Sequence, residues 1–231
     1  MLIRGLLLLC AAMLASAAPA AAQSPGGAEA PLPPATSGVV AATGQVAIST
    51  RAGTLLRHVA RFRGNVATSE AGNTVTIERF DELTKTWIPV TTSVVAPDGS
   101  YLARWRADRL GQHRVRAVLA RTGEATAAAA SAELAITVHR AATGTWYGPG
   151  FYGRRTACGL RMTRTLLGVA HRRLPCGTPV ALLYHGRTLT VPVVDRGPFT
   201  NHASWDLTSA TATALGFEHT DELGALRLAV E

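Results

Sequence analysis

The stretch Leu189–Phe199 reads LTVPVVDRGPF, and the C-terminal half of the chain is read outward from it. An apolar run ends in Asp195, and Arg196, Gly197 and Pro198 follow at once. A strand that stops in Asp-Arg-Gly-Pro leaves one carboxylate at its mouth, sets a cation beside it and turns the exit path on a Gly-Pro corner. No acidic residue lies between Gly144 and Val194, so Asp195 is the first carboxylate of this half.

Upstream, Thr178–Tyr184 and Arg187–Val194 flank His185-Gly186, which predicts a hairpin whose second strand delivers Asp195. Downstream, Trp205-Asp206-Leu207-Thr208 leads into Ser209–Leu215 and then Gly216, the pattern of a short capped helix. Asp206 or Thr208 supplies the cap; if Asp206 instead faces Asp195, it is a second carboxylate. Ahead of the hairpin, residues 144–153 (GTWYGPGFYG) set aromatic rings among glycines and a proline, which excludes a regular helix. Trp146 and Tyr147 there are either flat platforms on which sugar rings stack or a plug for the core of a small barrel. Cys158 and Cys176 are the two cysteines left once the N-terminus is removed, and in an oxidising compartment they most simply pair.

The N-terminus points to that compartment. Arg4, the apolar run Leu6–Leu14 and the small residues up to Ala20-Ala21-Ala22 form a secretory signal, with cleavage expected after Ala22. Cys10 lies within its apolar region, after leucine rather than a small residue, and is read as removed with it. The run is too short to span a bilayer, so no stable membrane anchor is expected after cleavage. Residues 23–43 are rich in Pro, Gly, Ala and Ser and read as a flexible linker. Over residues 44–140 about seven short runs alternate apolar and polar residues between turn signals, among them Thr74–Phe80, Tyr101–Trp105 and His113–Leu119. That spacing predicts an immunoglobulin-like β-sandwich, with Trp87 and Trp105 in its core or on its strand faces. The chain is thus all-β: a sandwich, then a second domain over 144–231.

Charge narrows the partners. The net charge is +8, and Lys85 is the only lysine. An arginine excess suits anionic surroundings such as wall polymers. No basic run exceeds two residues and none is interleaved with aromatics, so nucleic acid is not expected. No CxxC or HExxH spacing occurs and the histidines are scattered, so neither metal nor cofactor is expected.

Trp146-Tyr147-Gly148, Gly153-Arg154-Arg155-Thr156-Ala157, Ala170-His171-Arg172-Arg173-Leu174-Pro175, Gly177-Thr178, Asp195-Arg196-Gly197-Pro198-Phe199 and Asp206-Leu207 appear in one order over the C-terminal domain. In this it resembles the RlpA-like double-psi β-barrel of bacterial peptidoglycan lytic transglycosylases, a relative of the expansin barrel. The resemblance implies a six-stranded barrel with short helices, Asp195 as acid/base and His171 as its assistant. It also implies a substrate cleft with Trp146, Tyr147, Arg196, Phe199 and Asp206. Cys158-Gly159 and Cys176-Gly177 are closer to cysteine-bearing expansin and barwin relatives, and septal targeting through a SPOR domain is not implied.

The chemistry agrees with a single essential carboxylate. An ordinary glycosidase needs two. A lytic transglycosylase protonates the glycosidic oxygen after N-acetylmuramic acid, lets the sugar's own 6-hydroxyl attack, and takes the proton back on the same group. Two readings follow: a monomeric enzyme acting on peptidoglycan glycan strands, secreted to the cell wall or periplasm of a bacterium, or a non-catalytic expansin-like module that binds or loosens the wall.

Overall fold

A computed structural model of the chain describes residues 39–42, 45–120, 129–199 and 202–229. The signal segment 1–22, with Cys10, and the linker up to residue 38 lie outside the described residues. Ten strands lead into and through the start of the aromatic segment: β1 (Val39–Ala42), β2 (Ile48–Arg51), β3 (Gly53–Leu55), β4 (Val59–Asn65), β5 (Thr74–Asp81), β6 (Thr86–Val94), β7 (Ser100–Arg106), β8 (Gly111–Ala120), β9 (Ala129–Ala130) and β10 (Leu134–Tyr147). Strand β1, within the stretch read as linker, pairs antiparallel with β2 from Val39↔Arg51 to Ala42↔Ile48.

These strands form two sheets around one core. One sheet has the order β1-β2-β4-β7; in the other, β6, β5, β8 and β10 follow one another, with β3 on β10 and β9 on β8. Strict alternation sorts the side chains. In β4, Ala60 and Phe62 point inward while Val59, Arg61 and Arg63 are exposed; in β7, Tyr101, Ala103 and Trp105 point inward while Leu102, Arg104 and Arg106 are exposed. Phe62, Ile48 and Trp105 from one sheet meet Ile77, Leu119 and Ile136 from the other. Between β3 and β4 the chain turns, and Arg57 adopts a φ of 67° there.

Strand β10 carries the chain onward without a break. Its N-terminal part pairs with β8 (Leu134↔Val115 to Val138↔Gly111), and its C-terminal part pairs with β15 (Asp221–Arg227) from Arg140↔Ala225 to Gly144↔Asp221. The other elements after β10 are β11 (Val169–Ala170), β12 (Pro179–Tyr184), β13 (Arg187–Asp195), β14 (Trp205–Thr208) and α1 (Ser209–Leu215). The pairings run β10–β15–β12–β13–β11–β14 and return to β10, so these six strands close a barrel. The β10–β14 and β11–β13 pairs are parallel and the others antiparallel. Val180, Leu182, Val191, Val193, Leu207 and Leu223 fill it.

Local signals held where the geometry is local. Tyr184 pairs with Arg187 across a two-residue turn in which His185 and Gly186 both have positive φ, 46° and 83°, the turn that follows the twist of a hairpin. The N-cap of α1 is Thr208, whose hydroxyl accepts from the Thr211 N–H, and Gly216 ends the helix at φ 71°. Asp206 does not cap: it lies two residues earlier, inside β14.

Candidate functional site

Asp195 ends β13 at the mouth of the barrel. Its Oδ1 accepts from the Ala157 N–H at 2.8 Å and from its neighbour's Arg196 N–H at 2.8 Å, and its Oδ2 accepts from the Tyr147 hydroxyl at 3.2 Å. The carboxylate is therefore held by two backbone amides and one phenol, and among the described residues it takes part in no ion pair. The Arg196 guanidinium turns to main-chain oxygens instead, 3.5 Å from the His171 carbonyl and 3.4 Å from that of Asp195.

The strand register places a second carboxylate on the same face. Ala170 of β11 pairs with Asp195 on one side and Asp206 on the other, and Asp206 pairs with Thr145 of β10. Cross-strand partners share a face, so Asp195, Ala170, Asp206 and Thr145 form one row across β13, β11, β14 and β10. The methyl of Ala170 is the small member between two acids. Asp206 Oδ1 accepts from the Thr145 hydroxyl at 2.7 Å. Burial pushes its carboxyl above the usual range and the Asp195 charge adds to this, against the lowering effect of Thr145. Two residues along β10 on the same face, Tyr147 reaches Asp195; burial first and the two carboxylates second push its phenol up.

His171 follows Ala170. Its N–H donates to the Asp195 carbonyl at 3.2 Å, so the two residues are joined through the backbone. Its Nδ1 accepts from the N–H groups of Arg173 (3.2 Å) and Leu174 (3.0 Å), which leaves the ring proton on Nε2. Its ring lies 4.6 Å from that of the buried Trp205. Burial, then the charges of Arg172, Arg196 and Arg173, push the imidazole down and keep it neutral. This is a neutral donor at the edge of two acids, on a rigid rim.

The family described as "Lytic transglycolase" matches residues 139–227. Probable endolytic peptidoglycan transglycosylase RlpA of Synechocystis sp. is 43% identical over 100 residues, 42% of this chain and 31% of that protein. The protein of the same description from Aquifex aeolicus is 47% identical over 73 residues, 31% of this chain and 32% of that one. Endolytic peptidoglycan transglycosylase RlpA of Campylobacter jejuni is 42% identical over 72 residues, 30% of this chain and 26% of that one. The C-terminal domain belongs to the RlpA-like double-psi β-barrel family. The chain spans about a third or less of the length of these relatives.

Within this RlpA-like barrel the residues singled out in the sequence separate into two groups. Asp195, Asp206, Tyr147, His171 and the backbone of Arg196 come together. Trp146 does not join them, because consecutive strand residues face opposite ways. It is 39% exposed and its indole N–H donates to the Glu218 carbonyl at 2.8 Å. Phe199 stands 77% exposed beyond the Gly-Pro corner, away from the bonds that hold Asp195. Cys158 and Cys176 form a disulfide. It ties the loop carrying Ala157 to the turn after His171, next to the strand that ends in Asp195. Among the described residues no group of histidine, cysteine and acidic side chains is placed to hold a metal ion.

Three parts of the site were missed in the sequence. The Ala157 N–H is a backbone group that any residue supplies, so no side-chain signal marks it. Thr145 sits at alternate spacing from Tyr147 on an expected first strand, which is the signal that could have found it. Arg172 braces the wall of the site: its Nε donates to the Pro198 carbonyl at 2.6 Å and its Nη2 to the Ala203 carbonyl at 3.0 Å. It lies within the Ala170–Pro175 motif, but nothing in that spacing shows which carbonyls its side chain reaches.

Proposed function

We propose that this chain is a peptidoglycan lytic transglycosylase that cleaves the β-1,4 bond between N-acetylmuramic acid and N-acetylglucosamine and leaves 1,6-anhydro ends. The single observation that carries the proposal is the Asp195 carboxylate at the mouth of an RlpA-like barrel. It is aimed by Ala157, Arg196 and Tyr147 and free of any ion pair among the described residues. Asp195 in its acid form gives its proton to the glycosidic oxygen as that bond breaks. The 6-hydroxyl of the muramic acid then attacks the anomeric carbon and returns its proton to Asp195, which restores the starting state. His171 donates from Nε2 to a substrate oxygen rather than taking a proton, since its Nδ1 already accepts from two amides. The two amides fill Oδ1, so Oδ2, which Tyr147 holds in place with one hydrogen bond, is the oxygen that carries the proton.

One observation supports a second chemistry at the same site. Asp206 lies in the Asp195 row and is pushed towards its acid form. With Asp206 as acid and Asp195 as base, water would be the nucleophile and the product a reducing end. Mass spectrometry of peptidoglycan digests separates the readings. Anhydro-muropeptides are expected from the parent protein and not from Asp195→Asn; reducing ends alone indicate hydrolysis, and binding without new products indicates an expansin-like module.

The two N-terminal sheets are read as an immunoglobulin-like sandwich that serves as a spacer or wall-adhesion module. The protein is read as a monomer acting in the cell wall or periplasm of a bacterium after loss of residues 1–22, with glycan strands as its partner. Among the described residues no helix is long and apolar enough to cross a membrane.

A further inference from the structure

The exposed side of the β1-β2-β4-β7 sheet is unusual in its charge. Its outward positions include Arg51 on β2, Arg61 and Arg63 on β4, and Arg104 and Arg106 on β7. The register sets Arg61 directly opposite Arg104, with side-chain origins about 5 Å apart. Like charges so placed repel and destabilise a sheet, so folding alone does not explain them. The outward positions of β2, β4 and β7 hold no acidic residue, and none of these five arginines makes an ion pair among the described residues. On the other sheet Arg114 is neutralised by Glu133 and Arg116 by Glu78, while the buried Arg79 makes no ion pair among the described residues. Val59 and Leu102 stand exposed among the five, so the face offers apolar contact between its cations.

The face runs into a cleft of about 870 Å³ against the barrel, lined by Arg51, Arg61 and Arg63 on one side and by Tyr184, His185 and the acidic pair Asp221 and Glu222 on the other. The Arg51 guanidinium comes close to Gly186 at the tip of the β12–β13 hairpin. Asp195 lies at the far end of the same β13, about 27 Å away along the strand. The hairpin tip that Arg51 approaches and the Asp195 carboxylate thus lie at opposite ends of β13.

We propose that this arginine face, rather than the cleft with its acidic far wall, forms a second binding surface, for the carboxylates of the peptide stems on peptidoglycan. Planar guanidiniums suit carboxylates, which they grip through paired N–H groups. The stems project at intervals along a polymer whose glycan, on the function proposed above, is the barrel's substrate; the choice of occupant rests on that reading. One long strand then meets the protein at two places, and the second contact raises retention on the wall without touching the bond to be cut. Short soluble fragments cannot span both and gain nothing from the face.

The test uses the full-length protein and the variant Arg61→Gln/Arg63→Gln/Arg104→Gln, whose changes are all exposed. Retention is measured on purified sacculi stripped of phosphate-bearing polymers, beside sacculi whose stem carboxylates have been amidated and vesicles containing phosphatidylglycerol. The parent should be held by stripped sacculi, released as salt rises, and held about tenfold less by amidated sacculi. The triple variant should lose about tenfold on untreated sacculi while turning over short soluble glycan fragments as the parent does. Equal retention of parent and variant, or retention of the parent by vesicles and not by stripped sacculi, overturns the proposal. Retention is read without cleavage, so an inactive parent that still shows this contrast refutes the transglycosylase and leaves the arginine face standing.

Discussion

The arginine face of the β1-β2-β4-β7 sheet and the mouth of the barrel both carry charge on strands, and they hold it in opposite ways. On the sheet, five arginines stand out into water with no ion-pair partner among the described residues, so each is screened and individually weak. At the mouth, Asp195 sits at a strand end where three donors fix it, and Asp206 sits two strands away in partial burial. Long side chains spread over a face suit the capture of a polymer. A short side chain on a strand end, fixed by backbone, suits the movement of one proton. The difference shows that position in the strand, more than residue type, decides what a charge can do here.

The sharpest way to break this contrast is Asp195→Asn. The amide keeps size and some hydrogen bonding but cannot carry a proton, and the release of anhydro products should fall by about 10²–10⁴-fold or more. Retention on sacculi should be unchanged. Full cleavage by this variant would move the acid role to Asp206.

The disulfide tests whether the mouth needs a fixed frame. Cys158 and Cys176 are separated by 18 residues, and removing both sulfurs as Cys158→Ser/Cys176→Ser should cost about 3 kcal/mol in chemical denaturation. Activity should fall in the part that remains folded, because Ala157, next to Cys158, supplies an amide to Asp195. Binding by the arginine face should hold. A variant as active as the parent would show that the loop keeps Ala157 in place unaided.

His139 sharpens the comparison at the strand that joins the two regions. It is buried on β10, its Nε2 has no hydrogen-bond partner among the described residues, and burial holds its imidazole down at about 4. The folded value is below the unfolded one, near 6.5. The unfolded chain therefore takes up the proton first, and stability is full above that value and falls as pH drops towards 4. About 2 kcal/mol should be lost between pH 7 and pH 5, read by denaturant titration. His139→Gln should remove most of that slope; an unchanged slope would assign it to other groups.

Tyr147→Phe is the smallest expected effect. It removes one donor from Asp195 and leaves two, so activity should fall by about tenfold, with little change in fold or retention. Loss as large as that of Asp195→Asn would make the phenol part of the proton path.

The sequence by itself determined what depends on neighbours along the chain. The alternation of Tyr101–Trp105, the His185-Gly186 hairpin, the Gly216 helix end and the carboxylate at the end of LTVPVVD all follow from local periodicity and turn chemistry, while the choice of Thr208 over Asp206 as N-cap is left to the structure. The family motifs reached further and brought His171 and Asp195 into one domain. Tertiary structure alone decided the rest. The sequence divides the chain near residues 140–144, yet β10 runs through that point, because one strand can pair with β8 at one end and β15 at the other. Trp146 and Tyr147 are adjacent in sequence and part company in space, since the barrel gives each face of β10 a different neighbour. Asp206 becomes a companion of Asp195 only through its register with Ala170, and register is fixed by barrel closure, where a slip of one residue would turn every side chain to the other face. The Ala157 amide has no side-chain signature, and it meets Asp195 only because the folded loop brings it there.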